Sequence, residues 1–171
     1  MKKNKLQKIL IAMDFHPTSE KVAEVGFTMA KSLGAEVVLL HVKVRVVDYS
    51  LVYKKMESLK LETVEELGLA AEHFLKNSKH KLSEHLVKTL VKEGDFAVAI
   101  LDAAKEMAID LIVMGSNSTR WLEEIVLGRV TNKVLQQSKI PILIVPTRKN
   151  DSNNTFISLE DNTQAIIKLA N

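Results

Sequence analysis

The chain contains no cysteine, which excludes disulfides, thiolate zinc sites and a cysteine nucleophile together. Only 3 prolines and 6 glycines occur among its 171 residues, and 46% hydrophobic against 26% charged residues is a foldable, globular balance. Disorder throughout is not expected. Long apolar runs are missing as well. The run from Ile9 to Met13 is interrupted by Asp14 far short of a signal-peptide or membrane-spanning length, so a cytoplasmic protein without membrane contact is expected. No charge of one sign dominates, with 24 basic against 21 acidic side chains and a net charge of +3. The single basic cluster, Lys2, Lys3, Lys5 and Lys8, reads as a solvated leader into the first strand, so nucleic acid is not an expected partner.

What is present is an alternation of two segment types. Leu6 to Met13 is a short apolar run that stops at Asp14-Phe15-His16-Pro17, where proline forbids a helix through the corner. From Thr18, apolar residues at Val22, Val25, Phe27, Met29, Ala30 and Leu33 recur at helical steps, with Thr18 or Ser19 as N-cap and Gly34 as C-cap. Val37 to Val42 reads as a strand. Val44 to Ser58 reads as a connection leading into a helix whose face is Leu61, Val64, Leu67, Ala71, Phe74 and Leu75. Leu86 to Val91 is a strand halted by Glu93-Gly94, and Asp95 caps a helix with Ala97, Ile100, Leu101, Ala104 and Met107 inward. Leu111 to Met114 is a buried strand, Val130, Val134 and Leu135 mark a helix, and Ile142 to Val145 is the fifth strand.

Apolar strands alternating with amphipathic helices predict an α/β fold, a three-layer open parallel five-stranded sheet with helices on both faces. Ligands of such sheets bind beyond the carboxyl ends of the strands, near the switch in strand order. Asp14, Val42, Gly94 and Gly115 lie at those ends. One domain is expected over residues 1–147, followed by an extension over 148–171 made of a polar linker and a short helix after Ser158 or Asp161.

The stretch Gly115-Ser116-Asn117-Ser118 through Gly128-Arg129-Val130-Thr131 lies between a buried strand and a helix. A loop there can wrap backbone N–H groups around an anion, and the helix beginning near Gly128 adds free amides and the positive end of its dipole. This segment resembles the nucleotide loop of universal stress proteins, in which glycine, two residues, glycine, nine residues and glycine precede a serine or threonine. Gly115 matches the first glycine and Gly128 the third. Ser118 replaces the second, and Arg129 replaces the hydroxyl residue. Arg129 can either pair with phosphate or occupy the pocket itself.

The resemblance covers about Leu6 to Val145 and implies strand order 3-2-1-4-5. It also implies ATP or another adenine nucleotide at Asp14, Val42, Gly115, Ser116, Ser118, Gly128, Arg129 and Val130. Asp14 suits the ribose hydroxyls, since a carboxylate accepts their hydrogen bonds. Magnesium would arrive only with the phosphates. The fifth strand would be an edge, and its residues Ile142, Leu143, Ile144 and Val145 would join a homodimer. The expected function is a regulatory nucleotide-binding module in stress response, acting through an unidentified partner protein. The alternative is a dimeric interaction module that binds no nucleotide, which the replacements at Ser118 and Arg129 suggest.

An enzyme is not expected, although slow ATP hydrolysis stays open. The first strand is followed by no Ser-Gly-Gly-type loop, and no cluster of acids of the receiver-domain kind accompanies Asp14. His16 reads as a loop histidine and His41 as a core residue, while His73, His80 and His85 lack paired metal-ligand spacing. Trp121 reads as packing for the loop, with Glu123 and Glu124 solvated beside it.

Overall fold

The computed structural model describes residues 6–43, 45, 49–61, 63–82, 87–116, 127–147 and 166–168, of which 49–52 and 166–168 are described by their backbone alone. In chain order the elements are β1 (Lys8–Met13), α1 (Ser19–Leu33), β2 (Glu36–Lys43), α2 (Tyr49–Leu59), α3 (Val64–Lys81) and β3 (Val87–Glu93). They continue with α4 (Phe96–Glu106), β4 (Leu111–Gly115), α5 (Arg129–Gln137), β5 (Ile142–Val145) and β6 (Ile166–Lys168). The sheet order is β3-β2-β1-β4-β5-β6. The first five strands are parallel and take the order 3-2-1-4-5 that the resemblance implied.

Side chains of a strand alternate between the two faces of a sheet, and here each face has its own core. Ile9, Ile11, Val37, Leu39 and Val113 pack with Val22, Ala23 and Ala30 of α1 and Leu75 of α3. Leu10, Val38, Leu40, Ile112 and Ile144 pack with Ala97, Ile100 and Ala104 of α4 and Val134 of α5. Fully burying one such aliphatic side chain is worth about 1.5–3 kcal/mol. Gly26 lets α1 lie close to the sheet, because a Cβ there would fall 2.7 Å from Ile11 Cδ1 and 3.3 Å from Val113 Cγ1.

The helix ends follow their sequence signals with one exception. Gly34 closes α1 in the left-handed conformation at φ 64°, its N–H bonded to the carbonyls of Ala30 and Lys31. Thr63 and Glu66 form a reciprocal capping box at the start of α3. Asp95 caps α4 by accepting from the Val98 N–H at 3.1 Å. Its oxygens also receive Lys133 Nζ at 3.1 Å, which ties α5 to α4. The Val98 amide first, and then Lys133, hold the Asp95 carboxyl below its ordinary range. The exception is α1, where Thr18 occupies the cap position without a side-chain capping bond.

Two sequence expectations need correction. The stretch read as a connection contains α2, because Tyr49–Leu59 is helical despite the β-branched residues beside and within it. The tail helix is replaced over Ile166–Lys168 by a strand, β6, antiparallel to β5, with Leu143 opposite Ile167 and Ile144 opposite Ile166. The remainder of the predicted tail helix lies outside the described residues. Isolated helices of that length are marginal, whereas an open strand edge offers backbone partners to a β-branched Ile-Ile pair. In consequence β5 is not the free edge that its expected dimer contact required.

Candidate functional site

Strands β1, β2 and β4 end side by side, and the chain leaves β1 for β2 on one side and reaches β4 on the other. This is the switch point of the sheet, where a crevice forms between diverging connections. A cavity of about 320 Å³ lies there. Its walls include Met13, Asp14 and Phe15 after β1, His41 and Val42 of β2, Gly115 of β4, and Val130 and Thr131 of α5. Lys55 of α2 and Phe96 and Ile100 of α4 also line it. The volume and the mainly apolar walls with a few polar groups suit a small organic ligand.

Asp14 is exposed at the mouth, and its two carboxylate oxygens differ. Oδ1 accepts the Ser19 hydroxyl at 2.6 Å and the His16 N–H at 3.0 Å, while Ser19 Oγ accepts the Asp14 N–H at 3.1 Å. These bonds close the turn before α1. Oδ2 takes no hydrogen bond among the described residues, so this atom is available to a ligand donor. His16 Nδ1 is engaged by Thr18 through its hydroxyl at 2.9 Å and its N–H at 3.3 Å, outside the cavity lining.

On the other side, the end of β4 is latched to β5. The Ser116 N–H donates to the Val145 carbonyl at 2.9 Å, and buried Ser116 Oγ accepts the Thr147 N–H at 3.0 Å. The Gly128 N–H donates to the Ser116 carbonyl at 2.8 Å, and Thr131 Oγ1 donates to the Gly115 carbonyl at 2.9 Å. The start of α5 is thereby fixed beside β4. Its first intrahelical bond runs from Asn132 N–H to Gly128 O, so the amides of Arg129, Val130 and Thr131 precede it, as expected at a helix N-terminus. Gly128 has φ −59°, accessible to any residue.

Beneath the mouth lies an aromatic cluster. The Phe15 ring is 4.4 Å from the His41 ring and 5.3 Å from Phe74, centroid to centroid. His41 is 5% exposed, and its Nδ1 lies 3.0 Å from the Met13 carbonyl. A carbonyl can only accept, so Nδ1 carries the proton and Nε2 is an acceptor in the neutral ring. Burial pushes the His41 imidazole below its ordinary pKa, against the opposing effect of the Met13 bond. Lys55 Nζ sits 4.7 Å above the Phe15 ring, a cation–π contact, and burial lowers this ammonium's pKa while Asp14 opposes the shift.

The family model described as the universal stress protein family matches residues 5–146. The chain belongs to the universal stress protein family. It is similar to universal stress protein YxiE of Bacillus subtilis, 36% identical over 148 residues that cover 81% of this chain and 97% of the relative. It is also similar to universal stress protein MJ0577 of Methanocaldococcus jannaschii, 34% identical over 158 residues, covering 84% and 96%. The solved structure of MJ0577 superposes with a TM-score of 0.62 at 30% identity, covering 84% of this chain and 97% of that one. A universal stress protein solved in complex with cAMP shares the fold at 17% identity and TM-score 0.58, covering 84% and 99%.

Within this fold Asp14, Val42, Gly115 and Val130 come together around the cavity. Ser116 and Gly128 adjoin it through the latch, with the Ser116 hydroxyl turned to Thr147. Arg129 is exposed and absent from the lining, so it does not fill the pocket. Ser118, Trp121, Glu123 and Glu124 lie outside the described residues. His41 is buried in a strand, as expected of a core residue. Among the described residues no group of histidine and acidic side chains could hold a metal ion, and no helix is long and apolar enough to cross a membrane. Sequence reasoning missed Lys55, whose signal was hidden in the stretch read as a connection. It also missed Thr131 and Thr147, whose hydroxyl-bearing side chains lie among the bonds around Gly115.

Proposed function

We propose that this chain is a regulatory module that binds ATP or another adenine nucleotide in the cavity at the switch point. The observation that carries the proposal is the convergence of Asp14, Val42, Gly115 and the first turn of α5 on one small-molecule cavity. Asp14 Oδ2 would accept a ribose hydroxyl, the backbone beside Val42 would meet the base, and the phosphates would lie toward the first amides of α5. Arg129 is exposed where it can approach those phosphates from outside the cavity, and the family resemblance assigns Ser116 and Ser118 to the nucleotide as well. Magnesium, if it takes part, comes with the nucleotide. The cAMP complex of a distant member supports the fold's capacity for an adenine nucleotide.

In this reading the bound state changes contacts with a regulatory partner in the cytoplasm, and no residue acts as a catalyst. A homodimer through Ile142–Val145 belongs to the same proposal, with β6 displaced from the edge it covers. The alternative, an interaction module without nucleotide, is separated by one experiment. Denaturing the purified protein and assaying released adenine nucleotide, together with thermal shifts in ATP and AMP, tests occupancy directly. Ligand at a hundredfold excess over its Kd stabilises by about 2.7 kcal/mol. Asp14→Asn keeps an acceptor for the turn but loses the charge at the ribose, so nucleotide affinity should fall with little change in the ligand-free melting temperature. No nucleotide released and no thermal shift would favour the alternative.

A further inference from the structure

Among the described residues two lysines, Lys43 and Lys55, line the cavity, and they are differently placed. Lys43 Nζ is paired with Glu93 at 3.3 Å. Lys55 is half-buried and makes no contact ion pair among the described residues; its Nζ lies over the face of Phe15, and the charge of Asp14 acts on it from beyond contact distance. A partly desolvated ammonium without a contacting counterion is stabilised further when an anion comes within hydrogen-bond reach. Burial already lowers its pKa, although Asp14 acts in the opposite direction.

Topology says where that anion would have to be. Lys55 lies over Phe15, whose ring packs on His41 of β2, whereas the first turn of α5 follows β4, and Asp14 ends β1, the strand between β2 and β4. The cavity thus has two positive poles separated by a carboxylate. If the 5′-phosphate of a nucleotide lies at α5 and its ribose at Asp14, Lys55 faces the sugar's remaining secondary oxygen. A phosphate on that oxygen would be repelled by Asp14 alone, and Lys55 offsets this repulsion. The other secondary hydroxyl stays free to donate to Asp14 Oδ2.

Resting on the nucleotide proposal above, we infer that Lys55 is a specificity-determining residue that selects nucleotides carrying a second phosphate on the ribose 2′ or 3′ oxygen. A charge-assisted hydrogen bond of this kind corresponds to about tenfold or more in affinity.

The test is calorimetric titration of the full chain with adenosine 5′-monophosphate, adenosine 2′,5′-bisphosphate and adenosine 3′,5′-bisphosphate. The wild type should bind one bisphosphate at least about tenfold more tightly than the monophosphate. Lys55→Met should erase that preference, bringing the bisphosphate and monophosphate affinities to within about twofold of each other, and Lys55→Arg should keep most of it. An unchanged melting temperature checks that Lys55→Met is folded. Equal wild-type affinities, or a preference that survives in Lys55→Met, would overturn the role of Lys55 while leaving the nucleotide proposal standing. Wild-type protein that binds none of the three would overturn both.

Discussion

Gly115 is the first glycine of the loop, and its replacement by alanine separates two reasons for a glycine. A Cβ at this position would lie 3.2 Å from Val22 Cγ2 and 3.3 Å from both Cγ2 and Oγ1 of Thr147. Both neighbours are β-branched and stiff about χ1, and the Thr147 N–H is held by Ser116 Oγ. Gly115 is not among the described residues with positive φ, so alanine meets crowding and no backbone strain. Overpacking of this kind costs about 1–3 kcal/mol, against which alanine restores about 0.4–1 kcal/mol by restricting the unfolded chain. A net loss of about 1–2 kcal/mol lowers the melting temperature by roughly 3–6 °C in a chain of this size. Calorimetric melting of Gly115→Ala, Thr147→Ser and the double variant provides the test, since serine removes the offending methyl and should recover part of the loss. A melting temperature unaltered by Gly115→Ala, or a double variant that is simply additive, would refute the packing argument and leave phosphate approach as the reason for the glycine.

His41 is buried with a lowered pKa, so the unfolded chain binds its proton more readily than the native one. Stability from this group is complete above the unfolded value of 6.5 and is lost as pH falls from there through the lower folded value. The loss approaches about 1.4 kcal/mol per pH unit between the two values. Urea unfolding near neutral pH and at mildly acid pH should therefore give a smaller pH dependence for His41→Leu than for the wild type, whereas equal slopes would contradict it. For the tail, deletion of residues 148–171 uncovers the edge of β5, and sedimentation velocity should report increased self-association. Ile144→Lys in the truncated chain should reverse it, and an unchanged sedimentation coefficient after truncation would count against β6 as the cover of that edge.

Strands such as Leu111–Gly115 and Ile142–Val145 were legible because each is an apolar run bounded by breakers, whereas Val87–Glu93 carries Lys88, Thr89 and Lys92 and is marked mainly by Gly94 at its end. Their order came from the family resemblance, since periodicity carries no information about neighbours. Asp14 was legible as a strand-end carboxylate, but its division into a turn-closing Oδ1 and an open Oδ2 depends on Ser19 folding back five residues. Lys55 was illegible because its helix is rich in β-branched neighbours and its importance arises only from Phe15 and Asp14 beyond its own segment. The strand at Ile166–Lys168 was missed for a similar reason. Ile157, Leu159, Ala165, Ile166, Leu169 and Ala170 are compatible with a helix, and the waiting edge of β5 selects the extended form over Ile166–Lys168.

The bond from the Gly128 amide to the Ser116 carbonyl joins the two ends of the intervening segment. Strand β4 is fastened to β5 before that point, and α5 is fastened to α4 by Lys133 and Asp95 after it. The residues between can therefore be exchanged as a cassette. On the nucleotide reading proposed above, grafting positions 117–126 from one family member to another would transplant ligand preference while the frame stays in register, which makes this junction a seam for swapping specificities in the laboratory.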